Sequence, residues 1–81
     1  MLNLFDTPKD RPVRIVQFLG GHGVRTKLML LGLHVGDIIE VDSRSLFGGP
    51  ILIKSLTNNT TIAIGRGIAN KILVELVSEE K

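Results

Sequence analysis

The chain has 81 residues, of which 43% are apolar, and a formal net charge of +2. This length suits one small domain, and the apolar content is sufficient for a packed core. Because the chain contains no cysteine, disulfide frameworks, thiol redox centres and zinc–thiolate sites are excluded.

The first ten residues join a short apolar patch to a polar lead-in. Leu2, Leu4 and Phe5 form this N-terminal patch, which could either pack on the domain or fray. The chain shows no basic leader, and its longest apolar stretch is far shorter than the ~18 residues of a membrane span. We therefore expect a single cytoplasmic domain over 1–81, with a lead-in at 1–10, a polar tail at 78–81 and no insertion into a membrane.

A strand and a helix are predicted next. Apolar and β-branched residues at 13–19 indicate the strand, which a glycine-rich segment at 20–23 ends. The period then changes, because an apolar stripe recurs at i, i+4 and i+7. That stripe consists of Val24, Leu28 and Leu31. Gly32 follows where a glycine commonly ends a helix, so the helix is predicted to end there.

The remaining pattern is typical of a small β domain. Strands are predicted at 37–42, 51–56, 61–64 and 72–77, with a loop at 43–50, a hairpin turn at 57–60 and one helical turn at 65–70. Five short strands with one inserted helix cannot bury a flat sheet in so few residues. The prediction is a mainly β fold, a small, partly open SH3-like barrel.

Catalytic motifs are absent from the sequence. Segment 20–23 precedes the predicted helix, but it lacks the Gly-Lys-Ser/Thr ending of a Walker loop. Thr26 stands where a dinucleotide fingerprint requires its third glycine. The serines lie in no nucleophile elbow, and the carboxylates form no distinctive pair. We expect neither enzyme activity nor a cofactor.

Two binding functions stay open as alternatives. The basic residues are scattered and the chain has no tyrosine or tryptophan, so a nucleic-acid-binding barrel is less well supported and no nucleic-acid partner is expected. The candidates for an autonomous metal site are His22, His34 and Asp37, with Glu40 beside them, because imidazole and carboxylate suit iron. None of these residues forms a helical ligand pair, which favours solvated loop side chains instead.

One face of the predicted helix lies outside its apolar stripe. At 100° per residue, Met29 and Leu30 point away from that stripe. Either the N-terminal patch covers them, or they form an exposed surface that docks a partner or a second copy of the chain. On the second interpretation, Arg25 lies at the edge of the docking surface.

Three phrases, at 27–37, 47–51 and 62–69, place glycine or proline beside apolar runs. Their order resembles the ferrous iron transport protein A (FeoA) family, whose members carry an apolar helix ending in Gly-Leu-x-x-Gly, a Gly-x-Pro hairpin entry and a closing Ala-x-x-Ile-x-Val strand. The matching residues are Leu28, Leu31, Gly32, Leu33, Gly36, Pro50, Ile51, Ala69, Ile72 and Val74.

The resemblance implies an SH3-like domain that regulates rather than catalyses. It also implies a partner, the membrane ferrous iron transporter FeoB, through its cytoplasmic GTP-binding domain. The chain departs from the family pattern at Lys27, where arginine is common, and at Leu30, where a polar or acidic residue is more usual. Because Leu30 makes the helix face more apolar, we expect Arg25, Met29 and Leu30 to bind the partner.

Overall fold

The computed structural model describes residues 1–44 and 48–77. Its elements are β1 (Leu2–Asn3), a 3-10 turn (Leu4–Asp6), β2 (Val13–Phe18), α1 (His22–Leu30), β3 (Ile38–Arg44), β4 (Ile51–Ser55), β5 (Thr60–Ile64), α2 (Arg66–Ala69) and β6 (Ile72–Leu76). The strands form one antiparallel sheet in the order β1-β6-β2-β3-β4-β5. Within the described residues no ladder joins the outer strands β1 and β5, so the sheet is not closed. The predicted mainly β architecture with one short inserted helix is confirmed.

The sheet has six strands, one more than predicted. The extra strand, β1, pairs with β6 and places Leu2 opposite Val74. Leu4 follows it and is fully buried in the core, so the N-terminal patch packs on the domain rather than fraying. A two-residue strand is too short to show a period, which explains why the sequence pattern could not reveal it.

Polar contacts hold this N-terminal segment in place. The guanidinium of Arg44 donates to the carbonyl of Phe5 at 3.1 Å and to the carbonyl of Thr7. The guanidinium of Arg66 lies over the Phe5 ring, 4.7 Å from its centroid, a cation–π contact. The segment is therefore tied to both β3 and α2.

Two bulges bend the sheet around its core. The β2–β6 register shifts between Ile15 and Gln17, so the buried side of β2 passes from Ile15 to Phe18 instead of alternating. The β3–β4 register shifts between Val41 and Ser43. An extra residue in one strand increases its bend and twist.

Two predicted boundaries need correction. The helix begins at His22, two residues before the predicted start, and the amide of Arg25 donates to Gly21 O at 3.3 Å. The apolar period missed this turn because the turn is exposed to solvent. The predicted loop at 43–50 begins too early, since β3 continues to Arg44 opposite Ile51. Residues 45–47 of that loop and the predicted tail at 78–81 lie outside the described residues.

The end of α1 matches its prediction. Gly32 has φ +94°, and its amide donates to Met29 O at 3.0 Å, while the amide of Leu33 donates to Leu28 O at 3.0 Å. This pair of bonds is a Schellman motif, and the buried side chains of Leu28 and Leu33 accompany it. The motif turns the chain sharply toward β3.

We expect Gly32→Val to destabilise the domain by more than about 1 kcal/mol, because a β-branched residue resists positive φ. Steric overlap is not the cause, since a Cβ at Gly32 would meet no atom within 4 Å. Thermal unfolding of this variant beside Gly67→Val, an exposed glycine without positive φ, checks the prediction. Equal losses in the two variants would contradict it.

One core receives side chains from the sheet and from both helices, with Leu28 contributed by α1 and Ala69 by α2. Its buried hydrophobic residues are Leu4, Val13, Ile15, Phe18, Leu28, Leu33, Ile39, Val41, Ile51, Ile53, Ile64, Ala69, Ile72 and Val74. The helices in the described ranges are all too short and too polar to cross a bilayer.

Candidate docking groove

A groove of about 180 Å³ lies between α1 and the loop that follows it. Phe18 contributes from the end of β2, Arg25 and Met29 from α1, and His34 and Val35 from the loop. Three of these five side chains are apolar, and one carries a permanent positive charge. We call this site the α1 groove.

Local sequence shapes two walls of the α1 groove, the helix flank and the start of the loop. Arg25 and Met29 are four residues apart, so they share one flank of the helix. Leu28 is fully buried and anchors the helix on the core, which leaves that flank open. The turn at Gly32 then brings the loop back beside the last helical turn.

The loop wall is fixed by a carboxylate. The Asp37 side chain, 11% exposed, accepts a hydrogen bond from the His34 amide at 3.0 Å. The same oxygen, Oδ2, lies 3.6 Å from His34 Nδ1. The backbone of the loop joins β2 as well, since the Gly36 amide donates to Ile15 O at 2.8 Å. His34 therefore presents its ring to the α1 groove from a fixed backbone.

The helix face predicted to dock a partner is exposed. Met29 is 53% and Leu30 82% exposed. The proposal that the N-terminal patch covers them is wrong, because Leu4 enters the core and Phe5 contacts Arg66. Leu30 is turned about 100° from Met29 around the helix and is not a lining residue of the α1 groove.

The structure brings together two of the three candidate metal ligands. His34 and Asp37 are in contact, whereas the His22 ring lies in the first turn of α1, 3.4 Å from the Thr26 hydroxyl. Within 1–44 and 48–77, no group of three or more His, Asp or Glu side chains is placed to hold a metal ion. The contact of Asp37 with the His34 amide gives this carboxylate a structural task.

Sequence reasoning missed two walls of the α1 groove, Phe18 and Val35. Phe18 lies in the strand predicted at 13–19, and the sequence pattern suggests no role for it in a site. Val35 is an exposed apolar residue between two turn glycines, and that placement is a signal that could have identified it.

Comparisons with known proteins identify a family model and a relative of this chain. The FeoA domain model matches residues 2–76. A putative Fe(2+) transport protein A of Methanocaldococcus jannaschii is 38% identical over 55 residues. This match covers 68% of the present chain and 62% of the archaeal protein, so the chain spans less than two thirds of that relative.

Solved structures of FeoA proteins have the same fold as this chain. The crystal structure of an iron uptake regulatory protein, FeoA, superposes with a TM-score of 0.83 and 32% identity, over 94% of this chain and 97% of that one. FeoA of Stenotrophomonas maltophilia, described as a procaryotic SH3 domain protein, superposes with a TM-score of 0.71 and 20% identity. This superposition covers 93% of the present chain and 91% of that one. The second likeness concerns the fold alone. With its family model spanning β1 to β6 and an SH3-like fold, the chain belongs to the FeoA domain family.

Proposed function

We propose that this protein is a small cytoplasmic accessory of ferrous iron uptake that binds the cytoplasmic GTP-binding part of the FeoB transporter. Membership of the FeoA domain family supports the link to iron transport. The observation that carries the binding role is the exposed apolar helix face beside the α1 groove, formed by Met29 and Leu30 with Arg25 at the edge.

Exposed apolar side chains next to a concave, pre-formed groove are typical of a protein-docking surface. Leu30 is the most exposed residue in the set of exposed large apolar residues that also includes Met1, Met29 and Val35, and Leu30 is held on a helix rather than on a chain end. The proposed role is regulatory and involves no chemical step.

Isothermal titration of the full chain into the purified cytoplasmic region of the transporter tests this proposal. We expect saturable binding, both to the isolated region and to the full transporter in detergent. Oligonucleotide and ferrous iron titrations under the same conditions address the alternatives. Failure to bind either transporter preparation, or tight stoichiometric iron binding by the chain alone, would refute the proposal.

We further expect the purified chain to hydrolyse neither GTP nor ATP. The helix that follows the glycine-rich segment lacks the lysine and hydroxyl ligand that phosphate loops place at this position. Phosphate release, measured in each fraction eluted from a sizing column, checks this expectation. Turnover that follows the 8.9 kDa chain through a second purification, and that Arg25→Gln or Lys27→Gln alters, would show the expectation to be wrong.

A further inference from the structure

The α1 groove combines apolar walls with a single cation. Arg25 lines it together with the apolar side chains of Met29 and Val35. Within the part of the chain that the structure describes, the Arg25 guanidinium has neither a salt bridge nor a side-chain hydrogen bond. An exposed guanidinium beside apolar surface is well suited to pair with a carboxylate.

The surroundings of Arg25 are short of negative charge. Helix α1 carries Arg25 and Lys27 and has no acidic residue. The carboxylate in the adjoining loop, Asp37, is nearly buried and is held by the amide of His34. Charge complementarity therefore favours an acidic occupant.

We infer that the α1 groove takes a protein segment in which a carboxylate side chain stands next to a large apolar side chain. The carboxylate pairs with the Arg25 guanidinium, and the apolar side chain packs on Phe18, Met29 and Val35. This inference rests on the proposed function, since it specifies the chemistry of the transporter segment that would bind.

The geometry favours a peptide over the other anionic surfaces. A membrane surface or a nucleic-acid backbone requires several cations on one face. Here Arg25 and Lys27 lie on different flanks of α1, about 160° apart around the helix axis, and only Arg25 lines the groove. A concave site with one cation matches a single carboxylate.

The test uses the full chain, labelled with ¹⁵N, and two blocked peptides, acetyl-Leu-Glu-Leu-amide and acetyl-Leu-Gln-Leu-amide. Amide shifts are followed at low and high salt in the parent, in Arg25→Gln and in Lys27→Gln. Lys27→Gln is the matched control, because it removes the same charge from the same helix outside the groove. Vesicles rich in phosphatidylserine are titrated in parallel, and the variants are also assayed on the cytoplasmic region of the transporter.

We expect the glutamate peptide to shift the resonances of the groove residues and to bind about tenfold more tightly than the glutamine peptide at low salt. Arg25→Gln removes that difference, whereas Lys27→Gln keeps it. The inference is overturned if the two peptides bind equally, or if neither peptide shifts the resonances. It is also overturned if Arg25→Gln and Lys27→Gln lose the same peptide affinity, or if vesicles bind through Arg25 while the peptides do not bind.

The two proposals fail in different ways. If the transporter region binds and Arg25→Gln binds as well as the parent, the carboxylate inference is wrong and the proposed function stands. If the peptide difference appears but the transporter region does not bind, the proposed function is wrong and the chemistry of the groove stands.

Discussion

Leu4→Ala is expected to destabilise the domain by about 2 to 5 kcal/mol, the usual cost of truncating a fully buried leucine. Leu4 has no exposed surface and lies between the sheet and α2. The segment around it is held by Arg44 and Arg66, so it cannot easily collapse into the space that the leucine leaves. Urea unfolding measures the loss in the free energy of unfolding, with an unchanged m-value showing that stability alone has changed.

Leu30→Ala is the matched control for this experiment, because it makes the same substitution at a site that is 82% exposed. Its effect should stay within about 0.5 kcal/mol, as is usual for surface positions. Comparable losses at the two sites would mean that Leu4 does not belong to the core. A loss at Leu30 alone would show that the face of α1 is covered.

Met29→Glu is expected to weaken binding to the cytoplasmic region of the transporter by about 2 kcal/mol or more, as truncation of a central apolar anchor often does. The new carboxylate stands four residues after Arg25 and can pair with it along the helix, which removes both the apolar wall and the available cation. Because Met29 is about half exposed, the melting temperature should not change. Titration calorimetry and thermal unfolding together check this.

Two further leucine positions define the extent of the docking surface. Leu30→Glu should also weaken binding, since Leu30 is the most exposed apolar side chain of α1. Leu76→Glu is the control, because Leu76 is 44% exposed and pairs with Val13, at the opposite end of β2 from Phe18. If Met29→Glu and Leu30→Glu bind like the parent, the docking surface is not on α1. The same conclusion follows if Leu76→Glu loses as much binding affinity as these two variants.

The two ends of α1 show which features the local sequence could predict. Its C-terminus was predictable because the stop depends on one residue, Gly32, whose freedom to adopt positive φ is intrinsic. Its N-terminus was not, because the first turn contains no buried side chain and the N-cap, Gly21, makes no side-chain hydrogen bond. Periodicity detects burial, so it detects only those turns that are buried.

The residues of the α1 groove also differ in whether the sequence could predict that they lie together. Arg25 and Met29 could be grouped from their spacing along one helix, but Phe18 belongs to β2 and Val35 to the next loop. Their approach depends on how α1 packs against the sheet through Leu28. No spacing along the chain encodes that contact.

The sequence by itself determined the turns, the buried strands β4 and β6 and the short turn of α2, because each depends on residues close together in the chain. It also indicated the family, through the order of three short phrases along the chain. The tertiary structure decided the bulges in β2 and β3, the pairing of β1 with β6 and the exposure of Met29 and Leu30. It alone sent Leu4 into the core rather than onto the face of α1. These features are set by competition among distant apolar groups for one small core, a balance that local patterns do not record.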